Sequence, residues 1–260
     1  MAEKDEIEEQ RYYMVVKSNS IIQNARYDLS LKEQKTVAYI ISKIKPHDEV
    51  LAEYKFNVKE YCKVCGIEED NGGNYITVKE TLKGLRDKSI WIRNEEGKTM
   101  TLSWLSNVLI EENSGEVTVI LDKFMHKYLV GLFENYTQYE LITTLPMKSS
   151  YSIRMYEILK SYSFRKKFNL KIDELKAMLC CENYRYQDFK RRILDRACME
   201  INKYTDIEVE WEPGKDKDGK KITSIDFWTR VRTKTERFSV FKNNEKQIDG
   251  QLNIFDIMDE

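Results

Sequence analysis

Histidine is nearly absent from this 260-residue chain, which carries only His47 and His126, far apart and in no pair motif. A DNA-nicking enzyme would need a histidine pair to hold its metal and a nucleophilic tyrosine, and sixteen tyrosines do not single one out. The sequence also lacks the GxxxxGKS/T phosphate loop that ATP-driven unwinding requires. We therefore expect a protein that is not an enzyme and that uses no cofactor.

Long apolar runs are missing as well. No stretch approaches the roughly 18 apolar residues of a membrane helix, and the acidic opening MAEKDEIEEQ lacks the apolar centre of a secretory signal. The five cysteines are odd in number and form no disulfide framework, so reduced thiols in a cytoplasm are the simpler interpretation. Cys62 and Cys65 have metal-like spacing, but no second CxxC or histidine pair accompanies them. We expect structural cysteines, no metal site and no membrane partner.

What the chain does contain is one structural module twice. Residues 31–93 and 149–211 run through the same predicted order of helix, strand, helix, helix and strand, and FNVKEYCKVC in the first copy echoes FNLKIDELKAMLCC in the second. Self-similarity indicates repeated architecture, and two copies are too few for a solenoid. We predict two similar domains in tandem, related by internal duplication. The predicted helices are Leu31–Ile44, Lys59–Ile67 and Tyr75–Asp87, then Ser149–Tyr162, Lys171–Cys181 and Tyr184–Tyr204.

Each copy continues into a predicted β-hairpin. In the first copy, strands flank the turn at residues 94–97, and a further hairpin turns at residues 113–115. In the second copy, IEVEW and ITSIDFW flank EPGKDKDGKK and alternate in hydropathy, as the strands of a half-buried hairpin do. Three helices followed by a hairpin predict a winged helix, an α+β fold whose third helix reads DNA.

Charge is segregated along the chain, although the net charge is only −1. Lys and Arg number 19 against 24 Asp and Glu in residues 1–142, 22 against 15 in residues 143–237, and 2 against 5 in residues 238–260. The second copy thus has the basic character expected of a protein that binds a polyanion. Ordinary variation between domains is the alternative.

The third helix of the second copy separates an apolar face from a basic one. At about 100° per residue, the apolar side holds Phe189, Ile193, Leu194, Ala197, Cys198 and Ile201. The opposite side holds Arg191, Arg192, Asp195, Arg196 and Met199. Lys190 falls near the apolar side, in the first turns, where its stem can snorkel outwards. Arginine can donate two hydrogen bonds to guanine, at O6 and N7, which favours a DNA-reading face. The alternative is a solvated face on which Asp188 pairs with the arginines.

Further basic residues extend the predicted DNA surface. The hairpin tip of the second copy carries Lys215, Lys217, Lys220 and Lys221, where a wing would meet backbone or minor groove. Arg185 lies at the start of the reading helix. In the first copy the third helix exposes Lys79, Lys83 and Arg86, diluted by Glu80 and Asp87. Phosphate contacts or a protein–protein role suit that weaker face better than base reading.

These patterns resemble the initiator replication protein superfamily, the iteron-binding Rep proteins of plasmids. The resemblance covers roughly residues 12–237. It begins with VVKSNSIIQNARYDLSLKEQKTVAYIISKI, and its most specific stretch is YQDFKRRILDRACMEINKYTDIEVEWEPGKDKDGKKITSIDFW. The resemblance implies two winged-helix domains that bind direct repeats at an origin, with base reading by Lys190, Arg191 and Arg192 and backbone contacts by Lys79, Lys83 and Arg86.

The resemblance also implies partners and a location. Monomers of such proteins initiate replication by helping to melt the origin and recruiting host components such as the replicative helicase, and dimers joined through the first domain repress their own gene. The expected place is the bacterial cytoplasm, on nucleoid or plasmid DNA. A winged-helix transcriptional repressor without a replication role is the alternative.

Domain boundaries follow from these patterns. We predict a disordered N-terminus (1–10), a first winged helix (11–142), a second winged helix (143–237) and a flexible acidic tail (238–260). The tail ends in QLNIF, which resembles the bacterial sliding-clamp motif: Leu252, Ile254 and Phe255 would fill an apolar pocket and Gln251 would bond at its rim. The alternative is a tail that folds back on a domain or that has no role.

Overall fold

The computed structural model describes residues 2–45, 53–67, 72–93, 97–215, 219 and 221–250, with backbone only for residues 2–5. Its helices are α1 (Ala2–Gln10), α2 (Asn19–Asn24), α3 (Leu31–Ser42), α4 (Val58–Cys65), α5 (Gly73–Asp87), α6 (His126–Leu129), α7 (Ser150–Ser161), α8 (Ile172–Met178), α9 (Tyr186–Phe189), α10 (Asp195–Tyr204) and α11 (Lys234–Asp249). One turn of π-helix, Lys190–Leu194, joins α9 to α10 into a continuous recognition helix.

The strands form four small antiparallel sheets. They are β1 (Met14–Ser18), β2 (Ala25–Arg26), β3 (Glu53–Asn57), β4 (Ser89–Arg93), β5 (Thr99–Ser103), β6 (Leu105–Glu111), β7 (Glu116–Leu121), β8 (Tyr136–Glu140), β9 (Lys167–Lys171), β10 (Ile207–Lys215) and β11 (Ile222–Val231). The sheet orders are β1-β8, β2-β4-β5, β3-β7-β6 and β9-β11-β10.

The second half of the chain is a winged helix, as predicted. Helix α7 leads into β9, then α8 and the recognition helix follow, and the hairpin β10–β11 closes a three-stranded sheet through β9. Phe227 lies opposite Phe168 across that sheet, and their rings stack 5.6 Å apart beneath the helices. Aromatic pairs of this kind stabilise neighbouring strands and fix their register.

The first half has the same three helices, but its hairpins pair with different strands. Strand β3 is the counterpart of β9, and its sheet is completed by the later hairpin, β6–β7, in the order β3-β7-β6. The earlier hairpin, β4–β5, pairs instead with β2. The predicted one-to-one match between β4 and β10 is therefore wrong in topology: β4–β5 is an insertion. Both hairpins alternate in burial, so periodicity cannot choose between them.

Helix α7 belongs to both halves. On one side it carries Glu157, which is buried and accepts hydrogen bonds from Lys17 Nζ and Tyr139 Oη, each at 2.6 Å. Burial alone would raise the pKa of Glu157, but the charges of Lys17 and Arg154 outweigh it and hold the pKa below its ordinary value. The Arg154 guanidinium also donates to the Ile22 carbonyl and lies over the Tyr27 ring.

Other residues of the same helix contact the second half. Buried Asp206, at the start of the β10–β11 hairpin, accepts from Tyr156 Oη at 2.8 Å and pairs with Lys160. The buried apolar residues of both halves form one continuous cluster rather than two separate cores. The two winged helices are therefore joined through α7, not merely linked by a chain crossing.

Two predictions about the ends of the chain are wrong. Residues 2–10, expected to be disordered, form α1, whose Gln10 is buried and accepts from Lys43 Nζ at 2.6 Å. Residues 238–249, expected to be a flexible tether, belong to α11, which buries Phe241 and Ile248. In both segments a few buried contacts anchor a polar sequence whose average composition indicates little order. The alternative of a tail that folds back is confirmed for residues 238–249.

The buried carboxylate of α7 gives a stability prediction. Replacing Glu157 by Gln leaves Lys17 and Arg154 without their anion, so we expect a loss of about 3 kcal/mol in the free energy of unfolding at pH 7. Because the folded pKa is depressed, the wild-type contribution is present above the unfolded pKa of roughly 4.3 and disappears as the pH falls through the folded value. Urea denaturation between pH 7 and pH 3 measures both effects. Exposed Glu134→Gln is the control, and an equal, small effect of both variants would contradict the assignment.

Candidate nucleic-acid interface

The recognition helix presents the two predicted faces. All six residues of its apolar side are buried, with Phe189 and Leu194 fully so. On the opposite side the side chains of Arg191 and Arg192 are 72% and 62% exposed. A cationic surface backed by a buried apolar stripe is the arrangement a helix needs to enter the major groove.

The helix widens by one π turn at its basic triplet. Immediately after Lys190–Leu194, the backbone amide of Asp195 donates a hydrogen bond to the Lys190 carbonyl, five residues earlier. Such a turn accommodates an additional residue and often marks a functional position. Here it coincides with the sequence KRRIL, so the turn spans the predicted base-reading residues and the first two core residues after them.

Asp188 lies beside the exposed arginines but does not immobilise them. Its Oδ1 is 3.4 Å from Arg191 Nη2 and 3.9 Å from Arg192 Nε, and one carboxylate faces two guanidiniums. Exposed pairs at these helical spacings contribute only about 0.3–0.5 kcal/mol and are screened by salt. A phosphate or a base edge can therefore replace Asp188 at small cost, and the solvated-face alternative does not exclude DNA binding.

Lys190 and Arg196 are more constrained than the arginine pair. The Lys190 ammonium lies 2.7 Å from Asp195 Oδ2 and 5.2 Å from the centre of the Trp211 ring on β10. Arg196 is partly buried beside Glu200, whose carboxylate also accepts from the Lys148 backbone amide. Both side chains are held at the edge of the reading face, where they suit phosphates better than base edges.

Other side chains of the second domain border this face. Arg185 is exposed at the N-cap of α9, and Met199 is 64% exposed three residues after Arg196. Sequence phasing placed Met199 on the exposed side but gave it no role. The alternation of IEVEW places Trp211 on the same side of the strand as Ile207 and Val209, but its contact with Lys190 emerges only from the structure.

The wing extends from the same domain as a long hairpin. Lys215 and Lys221 are exposed beside its tip, and the β10–β11 register shifts between Gly214 and Lys215. A side chain at position 214 would clash with Ser224 Oγ, so any residue other than glycine would have to displace that hydroxyl. Lys217 and Lys220 lie outside the described residues.

The corresponding face of the first domain carries fewer available charges. On α5, Lys79 pairs with Glu112 at 3.1 Å and Arg86 with Asp87 at 3.3 Å, while Lys83 is exposed and the described residues supply it with no ion pair. Val78, Leu82 and Leu85 form the buried stripe, as predicted. The face is cationic, but acidic neighbours neutralise two of its three charges. Such a face is better suited to contacts with the DNA backbone than to base reading.

Four of the five cysteines are buried, and Cys180 is half-buried. Cys62 and Cys65 are buried in α4, and burial raises the pKa of the Cys65 thiol to about 12. Across the described ranges, no three His, Cys, Asp or Glu side chains are grouped so that they could hold a metal ion. In the same part of the chain, no helix combines the length and apolar content needed to cross a membrane. The clamp-motif residues Gln251, Leu252, Ile254 and Phe255 lie outside the described residues.

The chain contains two winged-helix domains, and the second has a basic recognition helix. This combination is typical of DNA-binding proteins with tandem winged helices. Family models place the chain more narrowly: the initiator replication protein WH1 model matches residues 14–160, and the initiator Rep protein WH2 model matches residues 171–228. The chain therefore belongs to the initiator replication protein family. The first match extends through α7, which agrees with the packing of that helix against the first half.

Individual proteins are also similar to parts or most of this chain. The PI protein of Escherichia coli is 32% identical over 114 residues, which is 38% of this chain and 37% of that protein, so the match spans well under half of the relative. The crystal structure of the Pi initiator protein in complex with iteron DNA shares the fold, with a TM-score of 0.69 and 20% identity over 86% of this chain and 99% of that one. The WH1 domain of a replication protein isolated from a multiple sclerosis patient aligns with a TM-score of only 0.29, at 19% identity over 37% of this chain and 75% of that one.

The weak hold of Asp188 on the arginines predicts a small effect of its removal. Asp188→Asn should change the free energy of unfolding by at most about 1 kcal/mol, the sum of exposed pairs and a helix N-terminal charge. Asp206→Asn, which removes a buried carboxylate from Tyr156 and Lys160, should lose about 3 kcal/mol. Urea denaturation of both variants compares them. A loss at Asp188 as large as that at Asp206 would mean that the arginines are locked in a structural network.

Proposed function

We propose that this protein initiates plasmid replication by binding directly repeated sequences, iterons, at the origin. The observation that carries the proposal is the exposed pair Arg191 and Arg192 on a firmly packed recognition helix beside a lysine-bearing wing. Membership of the initiator replication protein family supports a role in replication. The shared fold with the Pi initiator, which was solved with iteron DNA, supports iterons as the target.

The proposed contacts divide into base reading and positioning. Arg191 and Arg192 read base edges in the major groove, because their guanidiniums are exposed and can form bidentate bonds to guanine. Lys190, Arg196 and Arg185 bind flanking phosphates. The wing lysines Lys215, Lys217, Lys220 and Lys221 contact the neighbouring backbone or minor groove. In the first domain, Lys79, Lys83 and Arg86 contact the backbone and set the register of the protein on its site.

We infer that the protein acts by binding rather than by catalysis. Molecules arrayed on direct repeats would bend the DNA, and bending at deformable steps assists the melting of a nearby AT-rich segment. Recruitment of the replicative helicase and assembly of a self-repressing dimer through the first domain are further parts of the proposal. The place of action is the bacterial cytoplasm, on plasmid or nucleoid DNA.

The geometry of the DNA site separates an initiator from a simple repressor. Footprinting of the purified protein on DNA that flanks its gene, at stated salt, should reveal direct repeats spaced by about two helical turns. A single inverted repeat, protected by a dimer, would favour a transcriptional repressor without a replication role.

A sliding-clamp contact through the C-terminal QLNIF is a separate element of the proposal. Leu252, Ile254 and Phe255 would enter an apolar pocket while Gln251 bonds at its rim, a short anchor of the kind in which a few residues supply most of the affinity. The support comes from the sequence alone.

Substitutions on the two kinds of contact should have different signatures. Arg191→Ala should cost about 1–3 kcal/mol of binding and relax the preference at one base pair, because it removes a base contact. Lys221→Ala should weaken binding to all sequences alike and lower the slope of log K against log salt by about 1, because it removes a phosphate contact. Fluorescence anisotropy on single-base-pair variants of the iteron measures both. Uniform losses from both changes would contradict the division of roles.

The clamp contact is tested by pull-down with a bacterial sliding clamp. The double variant Leu252→Ala/Phe255→Ala should lose retention, because both apolar anchors are removed, while iteron affinity stays unchanged. Asn253→Ala, at the polar position of the motif, is the matched control. Equal retention of wild type and double variant would dispose of the clamp contact without affecting the DNA-binding proposal.

A further inference from the structure

Helix α11 follows the second winged helix but does not continue it. It begins at a capping box in which Thr233 and Glu236 bond each other's backbone amides. The hydrogen bonds from Arg230 and Thr233 lower the pKa of Glu236 to about 2, so the Glu236 carboxyl group is fully ionised near neutral pH. Its buried residues, Phe241, Asn244 and Ile248, recur at spacings of three and four, which places them on one stripe.

One set of α11 contacts reaches the second domain. The Asn244 amide donates to the Tyr204 carbonyl at 2.8 Å, at the C-terminal end of the recognition helix. One turn later, Gln247 donates to the Tyr204 hydroxyl at 3.0 Å. Because the last carbonyls of a helix have no partner within it, these bonds fix the end of the recognition helix to α11.

A second set reaches the first domain. The Asn244 amide also lies 3.4 Å from the Ile142 carbonyl, so one buried side chain bonds both domains. Buried Arg11 pairs with Asp249 at 2.9 Å, and Tyr12 Oη donates to Glu245 at 2.7 Å. A side chain at Gly66, the C-cap of α4, would clash with the Ile248 carbonyl, which shows how closely the end of α4 approaches α11.

These contacts lie away from the predicted DNA-reading face. None of the described α11 contacts involves Arg191, Arg192 or the α5 lysines, and the helix touches the recognition helix only at its far end. Helix α7 already joins the two domains at one place, through Glu157 and Asp206. Helix α11 connects the two domains at a different place, so it restrains rotation of one domain against the other about the α7 connection.

We propose that α11 is an interdomain brace in which Asn244 acts as a positioning residue, holding α5 and the recognition helix in the relative orientation required to bind one DNA site together. The inference rests on the proposed DNA-binding function. A brace lowers the conformational cost that two independently moving domains would pay on binding, and so raises affinity without touching DNA. Its effect therefore depends on whether the DNA engages both domains.

The test compares two duplexes with one positioning variant. The long duplex contains the full footprint, and the short duplex keeps only the base pairs protected by the second domain. Asn244→Ala should lose about tenfold in affinity on the long duplex and less than twofold on the short one. Asn243→Ala, whose side chain is exposed on the neighbouring position of α11, is the matched control and should stay within twofold on both.

A readout without DNA separates this inference from the proposed function. Nitroxide labels at Lys55→Cys in the first domain and Lys171→Cys in the second, both exposed, report the interdomain distance by pulsed electron resonance. The distance distribution should be narrow in the otherwise wild-type background and broad with Asn244→Ala. Ile248→Ala repeats the test if Asn244→Ala fails to fold.

Each outcome decides between the two ideas. Equal losses on both duplexes, or an unchanged distance distribution, would overturn the brace, because Asn244 would then act only locally on the recognition helix. A wild-type protein that binds neither duplex specifically, but whose distances broaden with Asn244→Ala, would overturn the proposed function and leave the brace standing.

Discussion

The architecture depends on burying two carboxylates against a single helix. Glu157 and Asp206 are removed from water, and each is acceptable there only because cations and hydroxyls of α7, β1 and β8 surround it. These bonds tie the first winged helix to the helix that opens the second. They form the first of the two connections between the domains, and α11 forms the second.

Much of the fold was predictable because it is local and periodic. Spacing predicts six helices, and the structure confirms them within a few residues as α3, α4, α5, α7, α8 and the recognition helix. The hairpins and the buried side of the recognition helix also follow from spacing, whereas α2 and α6 have no counterpart in the prediction. The pairing of β4–β5 with β2 was not predictable, because two hairpins with equal alternation compete for β3. Nor was the docking of α11, whose sequence is polar on average and which buries only Phe241, Asn244 and Ile248 among its described residues.

The candidate site shows the same division. Exposure of Arg191 and Arg192 was accessible from helical phase, whereas the engagement of Lys190 by Asp195 and Trp211 required the π turn and the strand beneath it. The distinction matters chemically, since a lysine already paired is less free to read a base than an arginine held only by a shared, exposed carboxylate. Net charge alone would have treated all three residues of the basic triplet as equivalent.

In the proposed function, Arg191 contacts a guanine directly in the major groove. Methylation of guanine N7 blocks that contact, so interference footprinting on the iteron tests it one base at a time. Wild-type binding should be abolished by methylation of a particular guanine in each repeat, and Arg191→Ala should become indifferent to that guanine while remaining sensitive to others. An identical interference pattern for both proteins would exclude a contact between Arg191 and that guanine.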